Sequence, residues 1–246
     1  MKRKLFLGLV FTLAIGGGVV AQDDAARAVD GNHLAALLRA GRSVVSINQS
    51  LINDETKGDK GLTPDAFLAQ VTEAYVAANG ERPLTDDLTE LQRRLIEAQL
   101  LAMSEVVDEN QELINTPDMG FKGFIPAVFA RLVNERFGEK VGDIAEVKAT
   151  APPELVRNRT ARPDEWEAAV IKEKFRSPGW PKGAPWFETI TSDTGSEFRM
   201  LIPEYYSDSC LSCHGEPVGE VDISGYPKEG GHEGDLGGAI SITLKE

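Results

Sequence analysis

The sequence predicts an α+β protein, and three features of the chain predict it. Apolar residues recur at helical spacing through the first half, they alternate with polar ones at strand spacing in the second, and the pattern changes after Gly142. His33-Leu34-Ala35-Ala36-Leu37-Leu38 begins a helix that Val44, Val45 and Ile47 extend. Thr63-Pro64-Asp65 is a helix start, with threonine as N-cap and proline in the first turn. Phe67, Leu68, Val71, Tyr75 and Ala78 then share one face, and Leu88, Leu91, Leu95, Ala98 and Ala102 repeat at alternating threes and fours. Phe124 to Phe137 is a further expected helix.

Within this half the chain repeats itself. Val44-Val45-x-x-Asn48-Gln49-x-Leu51-Ile52-Asn53 returns as Val106-Val107-x-x-Asn110-Gln111-x-Leu113-Ile114-Asn115. Gly58-x-Lys60-Gly61-x-x-Pro64-x-x-Phe67 returns as Gly120-x-Lys122-Gly123-x-x-Pro126-x-x-Phe129. The offset is 62 throughout, and 12 of 24 positions are identical. Two copies are too few for a solenoid. Segments 44–67 and 106–129 are therefore expected to form matching helix–turn–helix units, packed as a pseudo-symmetric pair. Leu51, Ile52, Leu113 and Ile114 should be buried, with Asn53 and Asn115 ending helices. The two Gly-x-Lys-Gly turns are either helix boundaries or, on a sharper reading, an anion site.

After Gly142, Ile144 to Thr150 reads as a strand, and Arg162-Pro163-Asp164-Glu165-Trp166 as a helix start. Arg176 to Pro185 is a Pro/Gly-rich loop. Phe187–Thr191 and Phe198–Ile202 are strands around a turn at Asp193-Thr194-Gly195, and Ile240, Ile242 and Leu244 alternate with Ser241 and Thr243 in a last strand.

The N-terminus has the layout of a secretory signal over residues 1–21. Lys2, Arg3 and Lys4 precede an apolar run from Leu5 to Ile15, then helix-breaking Gly16-Gly17-Gly18, then Val19-Val20-Ala21 at the expected cleavage point. The run is short of the roughly 20 residues a membrane span needs, and no cysteine follows for lipid attachment. A periplasmic or secreted protein with no membrane span is expected, with a helical region over 22–140 and a second region over 141–246. Losing the three basic signal residues takes the formal net charge from −13 to −16. Such an acidic surface argues against nucleic acid as a partner.

There are only two cysteines, and they stand in Cys210-Leu211-Ser212-Cys213-His214. This is the attachment signature of a c-type haem. Ser207, Asp208 and Ser209 offer N-caps, so the motif opens a short helical turn that places both thiols on one face. Each thiol then reaches one haem vinyl group, and His214 turns its imidazole under the iron, its other ring nitrogen donating to a carbonyl. A structural zinc site wants four ligands, and beyond this motif only His33 and His232 remain. A thioredoxin-type dithiol would sit in a βαβ pattern, which is not found around these cysteines.

Three further runs accompany the motif. They are Arg157-Asn158-x-x-x-x-Pro163-x-x-Trp166-Glu167, Pro203-Glu204-Tyr205-Tyr206 leading into Cys210-x-x-Cys213-His214-Gly215, and Gly234-x-Leu236-Gly237-Gly238-Ala239-Ile240-Ser241. On these residues the chain resembles the PAS-like c-type haem domains found in exported stand-alone proteins and in the extracytoplasmic sensors of bacterial kinases and chemoreceptors. The likeness is best from about Ala127 to Leu244. It implies a PAS-like antiparallel sheet with a long helical N-terminal region, one covalent haem c, and a redox or ligand-sensing role. Members often carry an output domain; with none before Glu246, a signal would pass to a partner. Some relatives use a third cysteine as second axial ligand, and here the corresponding stretch, near Val128-Phe129-Ala130, is apolar.

For the sixth iron position the candidates are His232, His33, Met103, Met119 and Met200, histidine and methionine being the usual ligands. His232 lies in a segment with six glycines from Gly225 to Gly238, read as flexible. Phe121, Phe124, Phe129 and Trp180 are candidates to roof an apolar pocket for a small diatomic ligand. Arg157, Arg159 or Lys182 are candidates to hold the haem propionates. Sensing or small-ligand binding leads, electron transfer to a redox partner protein is second, and a haem peroxidase is third.

Overall fold

The computed structural model describes residues 17–193 and 195–245. Most of the signal-like segment therefore lies outside the described residues, as does Thr194 in the expected turn. Gly17 and Gly18, expected to break a helix, instead belong to α1 (Gly17–Ile47). The alanine-rich run that follows, Ala25-Ala26-x-Ala28, propagates a helix at little cost. This helix begins well before the expected His33.

Among the described residues of the first half, α1 is followed by α2 (Gln49–Ile52), α3 (Pro64–Asn79), α4 (Glu90–Glu109), α5 (Gln111–Asn115) and α6 (Pro126–Val141). Thr63 caps α3, its side chain accepting from the Ala66 amide at 3.2 Å, with Pro64 in the first turn. A capping box between Thr89 and Gln92 opens α4. That start leaves Leu88 outside the helix and Leu91 46% exposed. The buried stripe of α4 begins at Leu95, not at Leu88.

The two copies of the repeat make matching bonds. Asn48 Nδ2 donates to the Val44 carbonyl at 2.8 Å, and Asn110 Nδ2 to Val106 at 2.7 Å. Across the pair, Asn115 accepts from the Lys60 amide at 2.9 Å, and Asn53 from the Lys122 amide at 3.3 Å. Gln111 donates to the Leu62 carbonyl at 2.9 Å, and Gln49 to Phe124 at 3.4 Å. Phe67 and Phe129 meet with ring centroids 5.2 Å apart. Ile52 and Ile114 are fully buried, whereas Leu51 and Leu113 are half-buried because α2 and α5 are single turns with one outward side. Asn53 caps α2 and Asn115 is the last residue of α5. Lys60 and Lys122 are buried and donate to carbonyls of their own loops, Lys60 to Asp54 at 2.8 Å and Lys122 to Met119 at 2.6 Å. Their ammonium groups close the turns, which favours helix boundaries over an anion site.

The second half is a four-stranded antiparallel sheet in the order β1-β4-β3-β2, made of β1 (Ala145–Thr150), β2 (Trp186–Ser192), β3 (Gly195–Tyr205) and β4 (Leu236–Lys245). Strand alternation gives it two faces. Val147, Phe198, Met200, Ile202, Ile240, Ile242 and Leu244 join the core shared with the helices, and α1 and α6 lie against that face. Leu201 and Ala239 face the other way. There they pack with Val170, Ile171 and Phe175 from α7 (Glu165–Val170) and the π-helical turn that continues it. Asp164 and Glu167 form a capping box at the start of α7. The observed architecture is the α+β arrangement expected, a helical N-terminal region on an antiparallel sheet.

Replacing Phe129 by alanine opens a cavity where the two copies meet. A loss of about 4 kcal/mol is expected, and Asn115→Ala, which strands the buried Lys60 amide, should cost about 1–2 kcal/mol. Denaturant melts of both variants check these values.

Candidate haem site

The Cys-x-x-Cys-His motif sits just past the end of β3. A β-bulge at Glu204/Tyr205 turns the strand, and Glu204 is held from α1 by Arg39 and Arg42, each within 2.7 Å. The chain then makes a 3-10 turn (Asp208–Cys210) and the short helix α8 (Leu211–His214). Ser207 occupies the N-cap position, although its hydroxyl faces Ser209 and Cys210 and not the helix amides. Cys210 and Cys213 are free thiols, both half-buried.

The His214 ring stacks on Tyr206 with centroids 4.9 Å apart and an interplanar angle of 23°. Its Nδ1 meets Glu229 Oε1, a carboxylate where a carbonyl was expected. The reason is the path of the chain: Gly230 and Gly231 return beside the motif, their amides donating to the Gly215 carbonyl at 3.1 Å and the His214 carbonyl at 2.7 Å. That return delivers the preceding side chain, Glu229, to the ring. Among the described residues Nε2 of His214 has no hydrogen bond, so this nitrogen is the one left for a metal.

Glu229 has three donors. Tyr206 Oη gives a hydrogen bond to Oε1 at 2.6 Å, His214 reaches the same oxygen, and Arg157 Nη2 lies 2.8 Å from Oε2. Arg157 also donates to Asp222 at 2.6 Å and to the Cys213 carbonyl at 2.8 Å. It therefore ties the motif's backbone to both carboxylates. Burial pushes the Glu229 carboxyl up, but the bonds from Tyr206, His214 and Arg157 outweigh it and hold the group below the usual range. The buried Asp222 behaves likewise: burial is outweighed by Ser224, Arg157 and the Tyr226 amide, leaving the carboxyl far below its ordinary 3.8. Burial and the bond to Glu229 push the Tyr206 phenol well above 10.0.

The glycine-rich segment is not a loose tether. Gly234 donates to the Tyr206 carbonyl at 2.8 Å, and Tyr206 in turn to Asp235 at 2.9 Å. Gly231 and Gly237 flank the Tyr206 ring so closely that an added Cβ would lie 2.6 Å and 2.2 Å from its atoms. Glycine at these two positions lets the ring stand against His214.

The sequence candidates scatter around this centre. Arg159 is exposed on a 3-10 turn (Arg159–Ala161). Lys182 is exposed, donates to the Gly234 carbonyl at 2.9 Å and lies 4.7 Å over the Tyr205 ring. Met200 and Met103 are fully buried in the core shared with the helices. His33 lies between α1 and α4 beside Asp30 and Gln92. Met119 is 41% exposed and its carbonyl holds Lys122. The His232 side chain is 74% exposed in a turn closed by Asp235. The expected roof divides in two. Phe124 and Phe129 belong to the helical core, their bulk consumed by packing the repeat, while Trp180 stands with Phe175 and Trp186 on the other face of the sheet. Phe121 is half-buried.

Glu229, Asp222 and the role of Tyr206 were missed by sequence reasoning. Tyr206 stood in the run ahead of the motif, and Glu229 directly before a Gly-Gly pair. Neither spacing signals a partner for His214.

Asp222→Ala leaves part of the Arg157 charge unpaired and should cost about 3 kcal/mol. The Asp222 carboxyl is lowered on folding, so its contribution is complete above 3.8, the ordinary value, and is lost as pH falls toward the folded one. Stability of the parent chain should fall below about pH 4, and Asp222→Asn should flatten that limb in melts taken across the acid range.

Comparison with known proteins adds one finding. A family model described as Tll0287-like matches residues 81–245, from just before α4 to the end of β4. No curated protein and no solved structure matches the chain. The family match spans more than half of the sequence and contains the whole motif and its Glu229 partner. The chain belongs to the Tll0287-like family, a family of PAS-like c-type haem domains.

Proposed function

We propose that this is an exported protein carrying one covalent haem c, and that it serves as a redox or small-ligand sensing module. The observation that carries the haem reading is the donor set on α8. Two free thiols three residues apart stand beside an imidazole whose Nδ1 is engaged by Glu229 and whose Nε2 is not. These residues fit the group: Cys210 and Cys213 would hold it by thioethers, and His214 would be the axial ligand. When bound, haem supplies a one-electron couple and a site for a diatomic ligand. The chain's own residues fix the imidazole plane, through the Tyr206 stack and the Glu229 bond, and brace the turn through Arg157.

Sensing is favoured over a carrier role by the positions of the candidate sixth ligands. Met103 and Met200 are spent in the core, His33 lies between helices, and Met119 and His232 are exposed. None is bonded to the motif. Electron transfer is the second reading, and one observation favours it. Val218, Val221 and Ile223 stand more than 60% exposed on the loop after the motif, among the exposed acids Glu216 and Glu220. Such a surface would suit a basic redox partner. A peroxidase needs a distal base, and the placement of His33 and His232 lends that reading no support.

Expression with c-type maturation should give a protein that keeps its colour through acid-acetone extraction and gains the mass of one haem. Loss of the colour, or of the mass, contradicts haem attachment. Carbon monoxide should bind the ferrous form and shift its spectrum. A six-coordinate low-spin spectrum in both oxidation states, unmoved by carbon monoxide, contradicts the sensing reading and supports electron transfer.

A further inference from the structure

We infer that Glu229 is a positioning residue that sets the donor strength of His214, and that Tyr206 tempers it through the same oxygen. The inference rests on the haem reading above and goes beyond it, because it concerns the electronic character of the iron site. A carboxylate that accepts from Nδ1–H pulls the proton toward itself and leaves more electron density on Nε2 than a backbone carbonyl does. A stronger Nε2 donor stabilises ferric over ferrous iron, and second-shell hydrogen bonding is one of the levers by which a protein tunes a haem. The geometry here is specific. Glu229 Oε1 receives both the His214 ring and the Tyr206 hydroxyl, the latter at 2.6 Å, so the two donors share one oxygen. Oε2 is separately held by Arg157 at 2.8 Å, which anchors the carboxylate at its other oxygen. Tyr206 cannot swing away, because it is stacked on His214 and bounded by Gly231 and Gly237.

The charges that face this oxygen are few. Arg157 stands between Glu229 and Asp222, one cation for two carboxylates. The remaining negative charge is dispersed over the imidazole N–H and the phenol O–H. Removing the phenol hydroxyl therefore concentrates it toward the imidazole, while removing the carboxylate charge abolishes it. The two changes push the iron in opposite directions. Loosening of the loop alone would push both variants the same way.

The experiment is a spectroelectrochemical titration of the mature, haem-loaded protein and of its E229Q and Y206F variants. Haem stoichiometry is measured first, by alkaline pyridine spectra and mass. The midpoint potential of E229Q should rise above that of the parent, and that of Y206F should fall below it. Y206F removes no charge and keeps the stacked ring; it deletes the hydroxyl's 2.6 Å bond to Glu229 together with its longer 3.3 Å contact to His214 Nδ1. An unchanged potential in haem-loaded E229Q, or shifts of the same sign in both variants, overturns the inference while leaving haem attachment intact. If E229Q does not mature, Y206F decides alone: a lower potential supports the inference and an equal or higher one overturns it. A parent chain that takes up no covalent haem overturns the proposed function itself.

Discussion

The Glu229 carboxylate is the constraint on which the site depends. Three donors from three separate segments converge on it: His214 from the motif, Tyr206 from the end of β3, and Arg157 from the connection between β1 and α7. Without an anion at this point, Arg157 would keep Asp222 as its carboxylate partner, and Nδ1 of the imidazole would keep only the longer 3.3 Å contact to the Tyr206 hydroxyl. Such a cluster is expensive to assemble, since burying carboxylates and a guanidinium costs more than an exposed pair returns. What it supplies is orientation. Each member is satisfied by named partners, and so the ring of His214 has one plane and one free nitrogen.

The helical half bears on the same point from the other side of the sheet. Its repeated units bond reciprocally through Asn53 and Asn115, and close on Phe67 and Phe129. The repeat packs against α1, whose last residues, 44–47, open its first copy. From α1, Arg39 and Arg42 grip Glu204, just two residues before Tyr206. The path from the repeat to the motif thus runs through one helix and one charge pair. The core of the sheet and the position of the motif are fixed by the same element.

How much of this was legible in the sequence follows from the range of each interaction. The helices, the four strands and the repeat rest on local periodicity and on caps such as Thr63 and Asp164, and these were readable. The five-residue motif was readable because its chemistry is local too. The partner of His214 was not, since Glu229 lies 15 residues on and reaches the ring only through the return of Gly230 and Gly231. Flexibility was inferred from the glycines of that segment, whereas at Gly231 and Gly237 close packing against Tyr206 is what requires glycine. Arg157 was singled out as a cation for propionates; its acidic neighbours Asp222 and Glu229 are 65 and 72 residues away, beyond any local pattern. The roof assigned to Phe124 and Phe129 failed for the same reason: two similar phenylalanines serve the repeat, and only tertiary packing reveals it.

The most direct test of the account is a crystal structure of the mature, haem-loaded protein. Thioether bonds from Cys210 and Cys213, iron on Nε2 of His214, and Nδ1 within hydrogen-bond distance of Glu229 with Arg157 on the opposite oxygen, are the predicted result. A His214 ring bonded through Nδ1 to a backbone carbonyl, with Glu229 turned to solvent, would contradict it.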